Sequence, residues 1–260
     1  MTGGISIRQW IRWLPDAESE PTSTMVLTSP ERRFVDIRIL NHDLMQARNP
    51  KSLSNLDWAF AGISSSTTQP NGTTHCKWQH VVDSRTRYNP ESIVVDEGVI
   101  HAPRPDGKSL ETGSMINPAT GIMTDYEELW ADEELGGVEE EGGDVYGGKL
   151  NLSKCVVLEL DDPEQEARGL VIYLGKYCQG VMRRGSLFAA ERWYCKAFVG
   201  DGPLWDVYRF EGDGSEGEVD GGVADLLQIP CEQAWKASKG GLEIGKTLEL
   251  GGCTWRVVET

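Results

Sequence analysis

The chain has 260 residues, 39% hydrophobic and 25% charged, enough for one large β domain or two of ordinary size. A formal charge of −16 repels phosphate and so argues against nucleic acid or an anionic membrane surface as a partner. No apolar run approaches the roughly 20 residues of a membrane helix and the N-terminus lacks a signal-peptide core, so a cytoplasmic protein without membrane insertion is expected.

Strand signals dominate along the chain. They are short runs rich in β-branched and aromatic residues, punctuated by Gly, Pro, Asn and Asp. In the first half these are MVLT (25–28), RRFVDIRIL (32–40), LDWAFAG (56–62), THCKWQHVVDSR (74–85) and SIVVDEG (92–98). Thr124-Asp-Tyr-Glu127 has the form of a capping box and predicts a short helix through Trp130. Between Lys108 and Lys149 stand eleven carboxylates and no Lys or Arg. This interval reads as a solvated acidic loop rather than a docking surface for a basic partner. Its last part, ELGGVEEEGGDVYGGK (134–149), has the composition of a linker or loop.

The second half continues with KCVVLEL (154–160), GLVIYLGKYCQGVM (169–182), RWYCKAFV (192–199), LWDVYRFE (204–211), KTLEL and CTWRVVE, with a second short helix predicted at CEQAWKA (231–237). Many strands and few crossover helices mean antiparallel β structure, most economically closed barrels. A weak repeat supports two of them. Each half has an apolar strand, a polar turn with Pro then Glu (SPERR; DDPEQEAR), a long apolar strand, an aromatic-rich strand and a short expected helix ending in Trp (DYEELW; CEQAW). The expected architecture is all-β, two lipocalin-like antiparallel barrels at 1–140 and 150–260, with a few short helices.

The chemical motifs are weak. His75 and Cys76 are adjacent and point to opposite strand faces, while Cys76 and His80 share a face but lie roughly 13 Å apart, so this stretch is not a metal site by itself. Gly212-Asp-Gly-Ser-Glu-Gly217 fits G-x-G-x-x-G, but acidic neighbours and the absence of a following helix make it an exposed loop, not a dinucleotide site. Gly62-Ile-Ser-Ser-Ser66 lacks the second glycine of a nucleophile elbow. All four histidines (42, 75, 80 and 101) fall in the first half. His80 and Asp83 would suit a general base with its orienting carboxylate, but strand alternation separates them unless a bulge intervenes. The six cysteines form no C-x-x-C pair and read as buried apolar groups. No metal and no cofactor is expected.

What remains is an aromatic lining. Trp58 and Phe60 share one strand face, as do Trp78 and His80 on the expected neighbour. In the second half Val171, Tyr173 and Tyr177 share a face, as do Trp193 and Cys195. A barrel of about eight strands is either just filled by side chains or holds one small ligand, and both options stay open. The candidate ligand-binding residues are Trp58, Phe60, Trp78, His80 and Tyr173. The catalytic candidates are His80, Glu97, Glu111 and Arg192, with no spacing that singles one out.

The run RRFVDIRIL, LDWAFAG-x-SSS, WQHVVDSR, PDGKSLETGSMINPATGIMTDYEELW resembles the fungal Hri family, closely over residues 5–132 and by pattern beyond. The resemblance implies two lipocalin-like barrels in one chain, homodimers, no established catalysis, and interaction with a casein-kinase-type protein kinase, from which the family is named. It supplies no set of functional residues. The expected function is binding of a partner protein or a small apolar ligand. The alternative is a cofactor-independent isomerase or cyclase acting on an apolar biosynthetic intermediate inside a barrel, chemistry that asks mainly for a shaped cavity and a few polar groups.

Overall fold

The computed structural model describes residues 3–41, 52–86, 89, 94–135, 154–199, 202–213 and 226–260. The expected segment 134–149 and the glycine motif at 212–217 lie largely outside the described residues. The first half is β1 (Gly4–Trp13), β2 (Thr22–Thr28), β3 (Arg33–Leu40), β4 (Leu56–Thr68), β5 (Thr74–Asp83), β6 (Val94–Ile100), β7 (Ser109–Ile116) and β8 (Met123–Glu133). These eight antiparallel strands, in sequence order, close into a barrel when β8 pairs back onto β1.

The helix expected at Thr124–Trp130 is instead the body of β8. Thr124 Oγ1 donates to the Ile122 carbonyl rather than capping a helix. Tyr126, Glu128 and Trp130 line the barrel cavity, a period of two that a helix does not have. Local capping chemistry gives way to the ladders with β1 and β7.

The second half comprises β9 (Cys155–Asp162), β10 (Ala167–Leu174), β11 (Tyr177–Arg184), β12 (Leu187–Val199), β13 (Gly202–Gly212), helix α1 (Cys231–Ser238), β14 (Thr247–Leu250) and β15 (Cys253–Glu259). Here the strands form a seven-stranded antiparallel sheet in the order β13-β12-β11-β10-β9-β15-β14, and among the described residues its two end strands do not pair with each other. The stretch 169–182, expected as one strand, is a hairpin turning at Gly175, whose φ of 61° suits glycine. That turn separates Tyr177 from Val171 and Tyr173. Tyr173 joins the core under α1, while Tyr177 joins the core against the barrel.

Alternation explains how the halves meet. On β3, Phe34, Asp36 and Arg38 face the barrel interior, so Val35, Ile37 and Ile39 face outward. The outward set of β2–β4, including Leu27 and Ala61, packs against Val157, Ile172, Leu174, Val181 and Ala190 of the second sheet in one continuous core. The sheet's other face is covered by α1 through Cys231, Ala234 and Ala237 against Leu158, Tyr173 and Trp255. With both faces of β9–β11 buried, the centre of the second sheet is filled by packing; space remains in the first barrel.

Polar struts cross the shared core. Gln179 Nε2 donates to the carbonyls of Met25 and Val35 at 3.1 and 2.9 Å. Arg192 donates to Gln179 Oε1 at 2.8 Å, to Ser23 Oγ at 2.9 Å and to the Ile37 carbonyl. Burial lowers the Arg192 pKa to about 10. The six cysteines are buried and free.

Candidate ligand cavity in the barrel

The barrel encloses a cavity of about 340 Å³, at the small end of the range for ligand sites. One wall is aromatic and apolar: Phe34, Trp58, Phe60, Trp78, Ile100 and Met115. The polar part of the lining contributes Asp36, Arg38, Glu111, Tyr126 and Glu128, with Arg38 reaching over the Trp58 and Phe60 rings. The lining also includes Ser65, Ser66 and Asp132, which are exposed and mark where the cavity reaches solvent.

The aromatic wall is organised by a bulge. Between β4 and β5 the register steps from Ala61 opposite Val82 to Gly62 opposite His80, leaving Val81 as the extra residue. A Cβ at Gly62 would stand 1.8 Å from the Gln79 carbonyl oxygen, so only glycine fits there. The bulge brings Asp83 to the face of His80, and His80 Nδ1 lies 2.8 Å from Asp83 Oδ2. Asp83 Oδ1 also accepts from Trp58 Nε1 at 2.9 Å and from the Arg85 amide at 2.8 Å. Burial would raise the Asp83 pKa, but these bonds outweigh it and hold the carboxyl below its ordinary range. For His80, burial pulls the pKa down, yet Asp83 and Asp96 prevail and the net direction is up. Its Nε2 is 3.3 Å from Asp96 Oδ2, near enough for an ion pair but without hydrogen-bond alignment. Phe60 stacks on the imidazole at 4.3 Å between centroids.

The charged lining is a network. Arg38 binds Asp36 Oδ2 through Nε and Nη2 at 3.1 and 2.9 Å and lies 3.4 Å from Glu128. Arg8 binds Glu128, Glu20 and the Thr22 hydroxyl. Such buried arrays are held by geometry, since each ion's desolvation is offset only by its partners. Glu111 makes no ion pair with the arginines and accepts from the Tyr126 hydroxyl at 3.0 Å. Burial, then the neighbouring charge of Glu128, pushes its pKa up to about 8. Room for it comes from Gly98 on β6, where a Cβ would lie 2.9 Å from Glu111 Oε1.

Of the residues expected to form a site, Trp58, Phe60, Trp78 and Glu111 line this cavity, with His80 behind Phe60. Three others lie elsewhere. Glu97 is on the outer face of β6, paired with Lys77 and His75. Arg192 is a strut between barrel and sheet, and Tyr173 belongs to the core under α1. Sequence reasoning missed Arg8, Asp36, Arg38, Tyr126 and Glu128. The alternation within RRFVDIRIL held the signal for two of them, because charged residues every second position beside Ile and Val mark a strand with two different buried faces. Among the described residues no group of three His, Cys, Asp or Glu side chains has metal-holding geometry.

The family model described as Protein HRI1 matches residues 4–259. The chain belongs to the HRI1 family. The match extends the resemblance seen in the first half across the second sheet of this HRI1-family chain. A crystal structure of the uncharacterized protein YLR301w from Saccharomyces cerevisiae superposes with a TM-score of 0.65 at 19% identity, covering 100% of this chain and 99% of that one. At that identity the likeness speaks for the fold alone. No curated protein matches the sequence.

Proposed function

We propose that the barrel binds a small, largely apolar ligand in its interior. The observation that supports this most is the contrast between the halves: the central strands β9–β11 of the second sheet are packed on both faces, whereas the barrel retains about 340 Å³ lined by Phe34, Trp58, Phe60 and Trp78. A binding protein that worked only through its outer surface would have no need of buried charges around an unfilled interior, because such charges are costly. Calorimetric titration with 1-naphthylmethanol, a neutral aromatic probe, tests the reading. Binding to the wild type should be weakened at least tenfold in Trp58→Ala and unchanged in Trp193→Ala. Binding that survives Trp58→Ala but is lost in Trp193→Ala or Tyr173→Phe would overturn it.

Catalysis is a second reading, and Glu111 is the observation in its favour. A carboxyl that keeps its proton near neutrality, beside a phenol and facing an apolar cavity, is suited to general-acid work in a cofactor-independent isomerisation or cyclisation. A cytoplasmic location and a homodimer belong to the same proposal. Light scattering tests the latter, and β13, an end strand with Leu204 and Val207 exposed, is the face we favour for the contact.

A further inference from the structure

We infer that the ligand of the barrel cavity is an organic cation, an ammonium group on an aromatic or other apolar body, seated between Asp36 and Glu111. This rests on the cavity-binding reading and adds the chemical class of the ligand.

The count of ionisable groups is the first support. Five carboxyl groups line the cavity (Asp36, Asp96, Glu111, Glu128 and Asp132) against two arginines, Arg32 and Arg38. The arginines are already engaged. Arg38 spends its fork on Asp36 and Glu128, and Arg32 donates to Ser66 at 2.9 Å beside the opening. Arg8, next to the lining, is held by Glu20 and Glu128. An anionic ligand would therefore find no uncommitted fork, and bidentate capture of a carboxylate needs one.

The second support is independent of the count. Asp36 is buried, with 3% of its surface exposed, and lines the cavity; Oδ2 takes Arg38 while Oδ1 has no hydrogen-bond partner. Among the described residues Glu111 has no basic side chain in ion-pair contact; the Tyr126 hydroxyl donates to it, and the Trp130 indole is its other polar neighbour. Buried acceptors are ordinarily satisfied, and one left over beside a cavity is accounted for by a donor that arrives with the ligand. The aromatic wall suits the same ligand. Cation–π attraction favours Trp and Phe faces; Trp58 is already stacked by Arg38 and Arg85 at 5.1 and 4.3 Å, so Trp78 and Phe34 are the faces left for a bound cation.

Binding should then be coupled to proton release. The groups facing Glu111 are Tyr126 and Glu128 from β8, Arg38 from β3 and Cys76 from β5, with Asp96 of β6 beyond Tyr126. With no cation beside it, Glu111 holds its proton up to about pH 8. An ammonium beside it stabilises the carboxylate, so the proton leaves as the cation enters.

The test is a matched series on the wild-type protein at pH 7: 1-naphthylmethylamine, 1-naphthylmethanol and 1-naphthoic acid, titrated calorimetrically in two buffers of different ionisation enthalpy. The amine should bind at least tenfold tighter than the alcohol and release protons, with the acid weakest. Asp36→Asn and Glu111→Gln should each narrow the amine-to-alcohol ratio to within about threefold. An amine no tighter than the alcohol, or an acid that binds best, would overturn the cation inference while leaving the cavity reading intact. If none of the three binds, both fall.

Discussion

Replacing Glu111 by Gln removes a titrating group while keeping its shape and its ability to accept from Tyr126. In the folded barrel this carboxyl titrates at about 8 against an ordinary 4.5, because burial penalises the charged form. Between those values the unfolded chain releases the proton and the folded chain keeps it. Stability therefore falls as pH rises through that window, and the full penalty is present above pH 8. The distance from 4.5 to about 8, at about 1.4 kcal/mol per pH unit, sets a ceiling of about 5 kcal/mol. Glu111→Gln is free of it. Unfolding free energies from urea titration should show the variant gaining on the wild type by about 3 kcal/mol between pH 5 and pH 8, with the two close to equal at pH 4.5. A difference that stays flat across the window would refute the placement of Glu111 as a buried neutral acid.

Other substitutions separate packing from cavity lining. Trp58→Ala should cost about 3–5 kcal/mol, since it empties a buried site and strips a donor from Asp83; Trp78→Ala, half-buried at the cavity, should cost roughly half as much by denaturant unfolding. Arg192→Met should destabilise by about 1–3 kcal/mol, chiefly by orphaning Gln179 Oε1, and adding Gln179→Met should cost less than the sum of the two. Gly98→Ala places a methyl against Glu111 and Trp78, so probe affinity should drop at least tenfold with a stability loss of about 1–3 kcal/mol. We propose that segments 1–140 and 150–260 are units of fold that depend on each other for stability. Expressed separately each exposes its share of the common core, so neither should be soluble alone and co-expression should yield a complex on gel filtration.

Periodicity made the strands legible, and it placed Trp58, Phe60 and Trp78 on one wall because alternate strand positions share a face whatever the tertiary context. The barrel's closure was less visible. In β1 and β7, polar inward positions such as Ser6, Arg8 and Ser109 interrupt the apolar pattern that marks a strand, and β8 bears a capping box that its ladders override. The pairing of His80 with Asp83 depends on a one-residue bulge, and its only trace in the sequence is Gly62 inside an apolar strand. Arg192 could not be distinguished from Glu111 as a candidate, because burial in a core between two sheets and burial in a cavity leave the same mark on a sequence. Which half is hollow depended on α1, a short helix whose place against the second sheet no local pattern reveals.

The central claim is that the barrel interior, and not the second sheet, is where a ligand sits. The indole N–H resonances of tryptophan report on this directly. With 1-naphthylmethylamine added to isotope-labelled protein, the signals of Trp58, Trp78 and Trp130, which line the cavity, should shift together and saturably. Those of Trp193, Trp205 and Trp235, clustered between β12, β13 and α1 with centroids 5.8 and 6.2 Å apart, should stay in place. Saturable shifts confined to that second cluster, with the barrel indoles unmoved, would contradict it.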